Sequence, residues 1–290
     1  MKKQTYLLLV ALSTASLSFG GGTSTPKPET FCRFVPERSD DFAWENDKVA
    51  FRAYGPALRS GTEDSGIDCW LKRVDYPIIN KWYKENSEGK SYHKDHGEGN
   101  DPYHAGSSRG CGGLGLWIDG KLVISDTYTH WKVLKCEPAE SAFVLTYEYK
   151  VGNATYKEEK QISIKLGDRM FKAVSTFWKN GEVAADLPIA IGITTHGGKA
   201  TPSSKVSAGW MACWETIEGH GLGTGVVIDP EKIKEYKVIE STDQNRAHAL
   251  IITQTDEKGQ VEYYAGYGWA KAGEIKTSKE WTAYLEAFEK

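Results

Sequence analysis

Residues 91–113 form a polar stretch that concentrates groups able to exchange protons or bind anions. Glycines and a proline interrupt it throughout, so neither a helix nor a regular strand is expected to cross it. Long polar loops in compact domains are uncommon and are usually either functional or disordered. We interpret the stretch as an ordered loop that forms one wall of an active site, and a solvated loop is the alternative. Its candidate catalytic groups are His93, His96, Tyr103, His104 and Arg109.

Two kinds of chemistry suit these side chains. Imidazole and phenol groups act as general acids and bases when their pKa lies near the working pH, and a guanidinium pairs with an anionic substrate group. A divalent metal is the alternative, because nitrogen and oxygen ligands stand close together along the chain. Their spacing matches no standard zinc signature such as HExxH. The weak candidate ligands are His93, Asp95, His96 and Glu98.

Two histidines outside the loop, His196 and His220, stand beside glycines, where packing gives an imidazole little reason to be present. We add His196 to the candidate catalytic groups. A serine nucleophile is not predicted, and neither a dinucleotide fingerprint after a predicted strand nor a Walker motif is present. A glycosidase pair of carboxylates stays open, because only separation in space would identify it.

The elements that must position these residues are mostly strands. After residue 113 apolar runs alternate with turn signals such as Asp119-Gly120 and Asn180-Gly181. One of these runs predicts a strand around residues 206–214. Many strands and few helices predict an all-β fold, a large antiparallel sandwich or barrel, in one domain over residues 31–290. Helical apolar stripes are predicted at 75–87 and 278–288, and the second begins with the capping box Thr277/Glu280.

Residues 1–20 have the pattern of a secretory signal peptide, in which two lysines precede a short apolar run. That run is too short to cross a membrane, and residues 21–30 are expected to form a disordered tether. We therefore expect an exported protein, periplasmic or secreted. The net charge of −3 over 290 residues gives no electrostatic footprint for nucleic acid.

The cysteines are five in number, so at least one is free unless it pairs between chains. None has the CxxC spacing of a zinc site. Export implies an oxidising compartment. Buried free thiols are the favoured interpretation, and one disulfide is an alternative whose partners the sequence does not specify.

Four segments carry a resemblance to a known family: residues 41–58, 66–73, 92–113 with its His-Gly-Glu-Gly-Asn-Asp core, and 264–269. They resemble a bacterial family of secreted proteins long described as a domain of unknown function and often encoded with polysaccharide-degrading enzymes. The family includes a dehydratase acting on oligosaccharides of ulvan, a uronate-containing algal polysaccharide. The first strands are also similar to those of the galactose-mutarotase-like β-supersandwich, which hosts epimerases and polysaccharide lyases.

The resemblance implies a carbon–oxygen lyase that removes water from a terminal uronate by acid–base β-elimination. A cation must neutralise the carboxylate, and Arg109 is the expected one, with Arg73 or a lysine as substitutes. His96 or His104 is the expected base at C5, and Tyr103 or His93 is the expected acid for the leaving hydroxyl. The expected substrate-binding residues are Arg73, Trp210, Trp214, Tyr264 and Trp269.

Two alternatives remain open. A mutarotase or epimerase on the same scaffold would give no unsaturated product. A non-catalytic glycan-binding protein would suit the aromatic content, although sugar binding alone needs no titratable groups. The expected partner is an acidic oligosaccharide, and the oligomeric state is left open.

Overall fold

The computed structural model describes residues 26–289. The expected signal peptide, and the tether up to residue 25, lie outside the described residues. The described part contains nineteen strands and two α-helices, so the prediction of an all-β fold with few helices is confirmed. The strands are β1 (Phe31–Val35), β2 (Asp41–Glu45), β3 (Ala50–Ala53), β4 (Ile67–Lys72), β5 (Gly99–Asn100), β6 (Cys111–Ile118), β7 (Lys121–Val123), β8 (His130–Glu137), β9 (Glu140–Val151), β10 (Ala154–Lys165), β11 (Met170–Lys179), β12 (Glu182–Val183), β13 (Pro188–Thr194), β14 (Thr201–Lys205), β15 (Trp210–Ile217), β16 (His220–Val227), β17 (Glu235–Ile239), β18 (His248–Gln254) and β19 (Gln260–Trp269). The helices are α1 (Ile79–Ser87) and α2 (Ser278–Ala287).

The strands form a sandwich of two layers. One layer is a nine-stranded antiparallel sheet in the order β14-β15-β16-β19-β11-β10-β9-β8, with β12 beside β11. The other layer holds two five-stranded sheets, β1-β2-β3-β4-β5 and β17-β18-β13-β6-β7, and a bridge between Ile67 and Gly110 connects them. Side chains from all three sheets meet in one core, among them Phe51, Ile191 and Tyr267. Burial of these apolar faces is the main driving force for the fold.

The two helices cover outer faces of the sheets. In α1, Trp82 stacks on Trp70 of β4 at 5.5 Å between ring centroids. In α2, Trp281 and Leu285 are buried as the apolar stripe predicts, and the predicted capping box is present. Gly223 on β16 makes room for this helix, because a Cβ there would lie 2.4 Å from the Trp281 ring. Within residues 26–289 no helix combines the length and apolar character needed to span a membrane.

Two predicted elements differ in position from the structure. The first helix begins at Ile79 rather than near residue 75, and the Glu45 carboxylate accepts hydrogen bonds from the backbone N–H groups of Ile78 and Ile79. A strand expected from residue 206 begins at Trp210, because residues Val206–Ala208 form a 3₁₀ turn. A tertiary carboxylate and a local turn thus set boundaries that side-chain periodicity does not encode.

Candidate active site

The loop at residues 91–113 crosses one end of the sandwich, and unlike the prediction it contains a short strand, β5, which pairs with β4. It meets the end of β13 at His196, the start of β18 through Asn245, the turn between β15 and β16 at Glu218, and the segment after β19 at Lys271. Because neighbouring strands run antiparallel, the end of one strand and the start of the next lie at the same end of a sheet. The loop thus lies at an end where several strands terminate, and its role as one wall of an active site stays a prediction.

A buried guanidinium fixes the base of this loop. Arg52 of β3, with its side chain 3% exposed, donates to Asp68 at 2.6 Å and to Asp101 of the loop at 2.9 Å. Asp41 lies 3.8 Å from the same guanidinium. Burial raises the pKa of Asp101 well above its ordinary value, and the neighbouring Asp68 carboxylate raises it further. One cation thus faces three buried carboxyl groups, an arrangement that favours a shared proton among them.

The carboxyl of Asp41 should make stability depend on pH. Burial raises its pKa from 3.8 to about 6, against the opposing effect of Arg52 and Arg38. A raised native pKa means that the folded state binds more protons than the unfolded state between pH 4 and 6, so the stability from this group is complete below about pH 4 and is lost as pH rises through 6.

We expect the free energy of unfolding of the wild type, relative to Asp41→Asn, to fall by about 2 kcal/mol between pH 4 and pH 7. Urea denaturation of both proteins across that range measures it. A difference between the two proteins that does not change with pH would contradict the assignment.

His196 holds the loop against the nine-stranded sheet. Its Nδ1 lies 2.8 and 2.9 Å from the two carboxylate oxygens of Glu215 on β15, and its Nε2 lies 2.9 Å from the backbone oxygen of His104. The ring also packs edge-on against Tyr103 at 4.7 Å. Both ring nitrogens face oxygen atoms of the protein, so neither is open to a substrate. His196 is a positioning residue in this structure, and its partner Glu215 was not among the predicted residues.

The other predicted acid–base residues of the loop have different surroundings. His104 is exposed and its Nε2 lies 3.0 Å from the Asn245 side-chain oxygen. His96 is exposed and its Nε2 lies 3.2 Å from the backbone oxygen of Ser91. Tyr103 is buried, and burial raises the pKa of its phenol well above the ordinary value, so the hydroxyl stays protonated. The structure does not bring these three side chains together.

Arg109 lies in the interior. It is 0% exposed, and its Nη1 donates to Ser65 Oγ at 3.0 Å and to the Leu114 backbone oxygen at 2.7 Å. Burial lowers the pKa of its guanidinium. An arginine without exposed atoms does not reach a substrate carboxylate, so we assign that role elsewhere.

The neighbouring Ser108 completes a Gly-Ser-Ser-Arg-Gly spacing at residues 106–110 that resembles a nucleophile elbow. Its Oγ is buried, donates to the Ala105 backbone oxygen at 2.5 Å and accepts from Gly110 N–H at 3.0 Å. The segment also does not connect a strand to a helix, which the elbow requires. The serine therefore shapes the turn and is not a nucleophile.

The predicted aromatic platform is divided between two faces of the sheet. Trp210 and Trp214 are four positions apart on β15, so both point to the outer face of the sheet. Tyr264 lies on the same face, and all three pack with the cluster under α2. Trp269 is five residues from Tyr264 and so points to the inner face, where it is 1% exposed. The structure therefore does not assemble these rings into one sugar-binding surface.

The candidate metal ligands also point to separate partners. Asp95 forms ion pairs with Arg73 and Lys271, and Glu98 accepts hydrogen bonds from a tyrosine, a lysine and a tryptophan. The two histidines of the set lie against different backbone carbonyl groups. Among residues 26–289 no group of three or more His, Cys, Asp or Glu side chains could hold a metal ion. The four residues therefore do not form a metal site in this structure.

A different set of titratable residues gathers at the rim of this end. We call it the rim cluster, and its members are Arg73, His93, Asp95, Glu218, His220 and Lys271. Trp269 links two of them, because the His220 ring lies edge-on to it at 6.3 Å and Lys271 Nζ lies 5.5 Å from its centroid. Asn100 links two more, because its Nδ2 donates to Glu218 at 3.0 Å and to the backbone oxygen of His93 at 3.3 Å.

The rim cluster has two cations on one carboxylate. The carboxylate of Asp95 pairs with Lys271 at 2.7 Å and with Arg73 at 3.4 Å. Partial burial acts to raise the pKa of Asp95, but the hydrogen bonds from Lys271 and from the backbone amides of Gly97 and Gly99 outweigh it and lower the pKa overall. A guanidinium and an ammonium thus meet at one carboxylate, and these two cations are the groups that can bind a substrate carboxylate. Glu218 adds a second negative charge, so the formal charges of the cluster balance.

The hydrogen bonding of His93 defines its basic nitrogen. The side chain is 61% exposed, and Nδ1 lies 2.9 Å from the backbone oxygen of Asp101. A carbonyl oxygen only accepts, so Nδ1 carries the hydrogen in the neutral ring, and the lone pair is on Nε2. His93 therefore presents a defined base from a loop that Arg52 holds in place.

A groove lies elsewhere on the part of the chain that the structure describes. Its volume is about 930 Å³, and it runs beside β11, β18 and β19, with Tyr264 in its lining. Six carboxylates and three lysines line it, and no histidine does. The surplus of negative charge opposes binding of an acidic sugar. The groove is a poorer candidate than the rim cluster for the predicted chemistry, despite its size.

The comparisons with known proteins identify the family. Residues 19–290 match the family described as Domain of unknown function (DUF4861), and the chain belongs to this family. A relative named "Uncharacterized protein P7", from Formosa agariphila, is 37% identical over 272 residues. The match covers 89% of this chain and 66% of that protein, so the chain spans slightly less than two thirds of its relative's length.

Two solved structures are similar at a low level. A putative aldose 1-epimerase from Klebsiella pneumoniae is 10% identical with a TM-score of 0.38, and the match covers 85% of this chain and 82% of that one. An α-galactosidase from Lactobacillus brevis is 9% identical with a TM-score of 0.36, covering 81% of this chain and 40% of that one. At these values neither likeness carries an argument about the reaction.

Proposed function

We propose that the chain is an exported carbohydrate-active lyase that removes water from uronic-acid-containing oligosaccharides, such as those of ulvan, at the rim cluster. The observation that supports this most directly is the placement of His220, Lys271 and Arg73 around Trp269 and Asp95. Asn100 joins the backbone of His93 to Glu218, two residues before His220. β-Elimination next to a carboxylate needs a cation, a base and an acid. The rim cluster contains all three in side chains from separate parts of the chain.

The roles follow from the chemistry of each group. Arg73 and Lys271 bind the sugar carboxylate, which makes the proton at C5 more acidic. His93 Nε2 removes that proton, and the electron pair forms the C4–C5 double bond. His220, in its protonated form, gives a proton to the departing hydroxyl at C4, which leaves as water. The reaction releases one water and returns the enzyme once His93 passes its proton to solvent and His220 regains one.

A mutarotase or epimerase is the second candidate. Glu218 stands two residues before His220 in the same turn, and its carboxylate is held by Asn100 at 3.0 Å. A carboxylate and a neighbouring imidazole can remove a proton from a sugar and return one to it, without expelling water. Such an enzyme would give a product with the same mass as its substrate.

Mass spectrometry of uronate oligosaccharides after incubation with the protein distinguishes these functions. We expect loss of one water from oligosaccharides with a uronate at the non-reducing end, accompanied by the ultraviolet absorbance of the conjugated product. The matched control substrate has the same sugars with the carboxyl group reduced to an alcohol, and it should not react. An unchanged mass with exchange of anomeric or C5 hydrogens by NMR would favour the epimerase. Binding by calorimetry without either change would contradict both enzymes.

A further inference from the structure

Two of the five cysteines face each other across the edge of the sandwich. Cys32 lies on β1 of the first five-stranded sheet, and Cys136 lies on β8, the edge strand of the nine-stranded sheet. Cys136 Sγ lies 3.5 Å from the Cys32 backbone oxygen, and Cys32 Sγ lies 3.8 Å from the Lys135 backbone oxygen. The two thiols are also within hydrogen-bonding reach of one another.

The surrounding backbone holds the two strands in register. Thr30 N–H donates to the Pro138 backbone oxygen at 2.9 Å, and Thr30 Oγ1 donates to the Glu137 backbone oxygen at 2.6 Å. Thr30 Oγ1 also lies 2.9 Å from Ser141 Oγ, which in turn donates to Cys136 Sγ at 3.9 Å. These contacts hold the chain just before Cys32 against the chain just after Cys136, which keeps the two cysteines beside one another.

We propose that Cys32 and Cys136 form a disulfide that ties β1 to β8 when the protein meets an oxidising disulfide such as oxidised glutathione. The exposed Cys136 thiolate attacks one sulfur of the oxidant, which gives a mixed disulfide and releases one glutathione thiolate. Cys32 then loses its proton, and its sulfur attacks Cys136 Sγ and releases the second glutathione. Two protein thiols are oxidised and one small disulfide is reduced, so electrons and atoms balance.

The remaining three cysteines differ in access. Cys69 and Cys111 are in contact with one another, and Cys111 Sγ donates to the Gly266 backbone oxygen at 3.3 Å. Both are fully buried, as is Cys213, which is 1% exposed. A dissolved oxidant reaches Cys136 and does not reach these thiols in the folded protein. The odd cysteine count is explained by one bond and three thiols enclosed in the core.

The bond would close a long stretch of chain. Cys32 and Cys136 are separated by 104 positions, which includes the loop that crosses the candidate active site. A crosslink of that length restricts the unfolded chain strongly, and it holds the first strand on the sandwich. We expect the oxidised protein to melt roughly 5–10 °C above the reduced protein.

Peptide mapping of the full-length wild type tests the proposal without a variant. The protein is treated with oxidised glutathione, unfolded, alkylated and digested without reductant. We expect one linked peptide pair that joins Cys32 to Cys136, and alkylation at Cys69, Cys111 and Cys213. Alkylation of Cys32 and Cys136 in the fully treated protein, or a bond between any other pair, would overturn the proposal.

The variants Cys32→Ser and Cys136→Ser give a second readout. Reductant should lower the melting temperature of the oxidised wild type to about that of the variants and leave both variants unchanged. A wild-type melting temperature that does not respond to reductant would contradict the bond.

Discussion

Replacing His93 with alanine is expected to lower turnover of uronate oligosaccharides by roughly 100- to 10,000-fold, the usual contribution of a general base. The reason is the arrangement of the ring, in which the Asp101 backbone oxygen holds Nδ1 and leaves the lone pair on the exposed Nε2. The side chain makes few packing contacts, so the variant should remain folded. Initial rates by ultraviolet absorbance, with melting curves for both proteins, measure the effect.

The matched control for this variant is His130→Ala. His130 is also exposed, its Nδ1 also hydrogen-bonds a neighbour, Thr129 Oγ1 at 3.1 Å, and it lies at the start of β8 away from the rim cluster. Its replacement should leave kcat and KM unchanged. If His93→Ala keeps its kcat and raises only KM, the imidazole binds substrate and is not the base.

Replacing Arg52 with leucine is expected to lower the free energy of unfolding by about 3–5 kcal/mol. Leucine removes the positive charge that faces Asp41, Asp68 and Asp101, and each of these is buried. Carboxyl groups left without their cation must either stay protonated or draw water into the core. Because Asp101 belongs to the loop that presents His93, turnover should fall together with stability. Urea denaturation at pH 7 measures the first effect.

Two further variants make the Arg52 experiment specific. Arg52→Lys keeps the charge but not the planar group that reaches two carboxylates at once, so we expect a loss between those of the wild type and the leucine variant. Lys157→Ala removes an ion pair with Glu159 in which both side chains are nearly half exposed, and it should cost less than about 1 kcal/mol. Equal effects of Arg52→Leu and Lys157→Ala would show that the buried network does not anchor the loop.

The sequence predicts the fold well where local patterns are strong. Alternating apolar residues identify long strands such as β10, and the capping box with its apolar stripe locates α2 to within one residue at its end. Short edge strands are not found this way. β14 contains Pro202 and alternates exposed and half-buried residues, so only its pairing with β15 identifies it as a strand.

The candidate site is only partly predictable, because its members meet across long separations. The loop at 91–113 is found from its composition, but Asn100 and Glu218 are 118 positions apart and Lys271 and Asp95 are 176 apart. Nothing local shows that Arg109 lies inside, where Ser65 and a backbone oxygen receive its hydrogen bonds. The loop composition already indicates His93 and Asp95, and for His220 the sequence signal is the pair of glycines beside it.

The most direct test of the account is a crystal structure of His93→Ala with a uronate-terminated oligosaccharide bound. We expect the sugar carboxylate within hydrogen-bonding distance of Arg73 or Lys271, with C5 facing the position of the missing imidazole and His220 near the C4 oxygen. A sugar bound instead in the groove beside β11 and β19, with the rim cluster empty, would contradict the assignment of the active site.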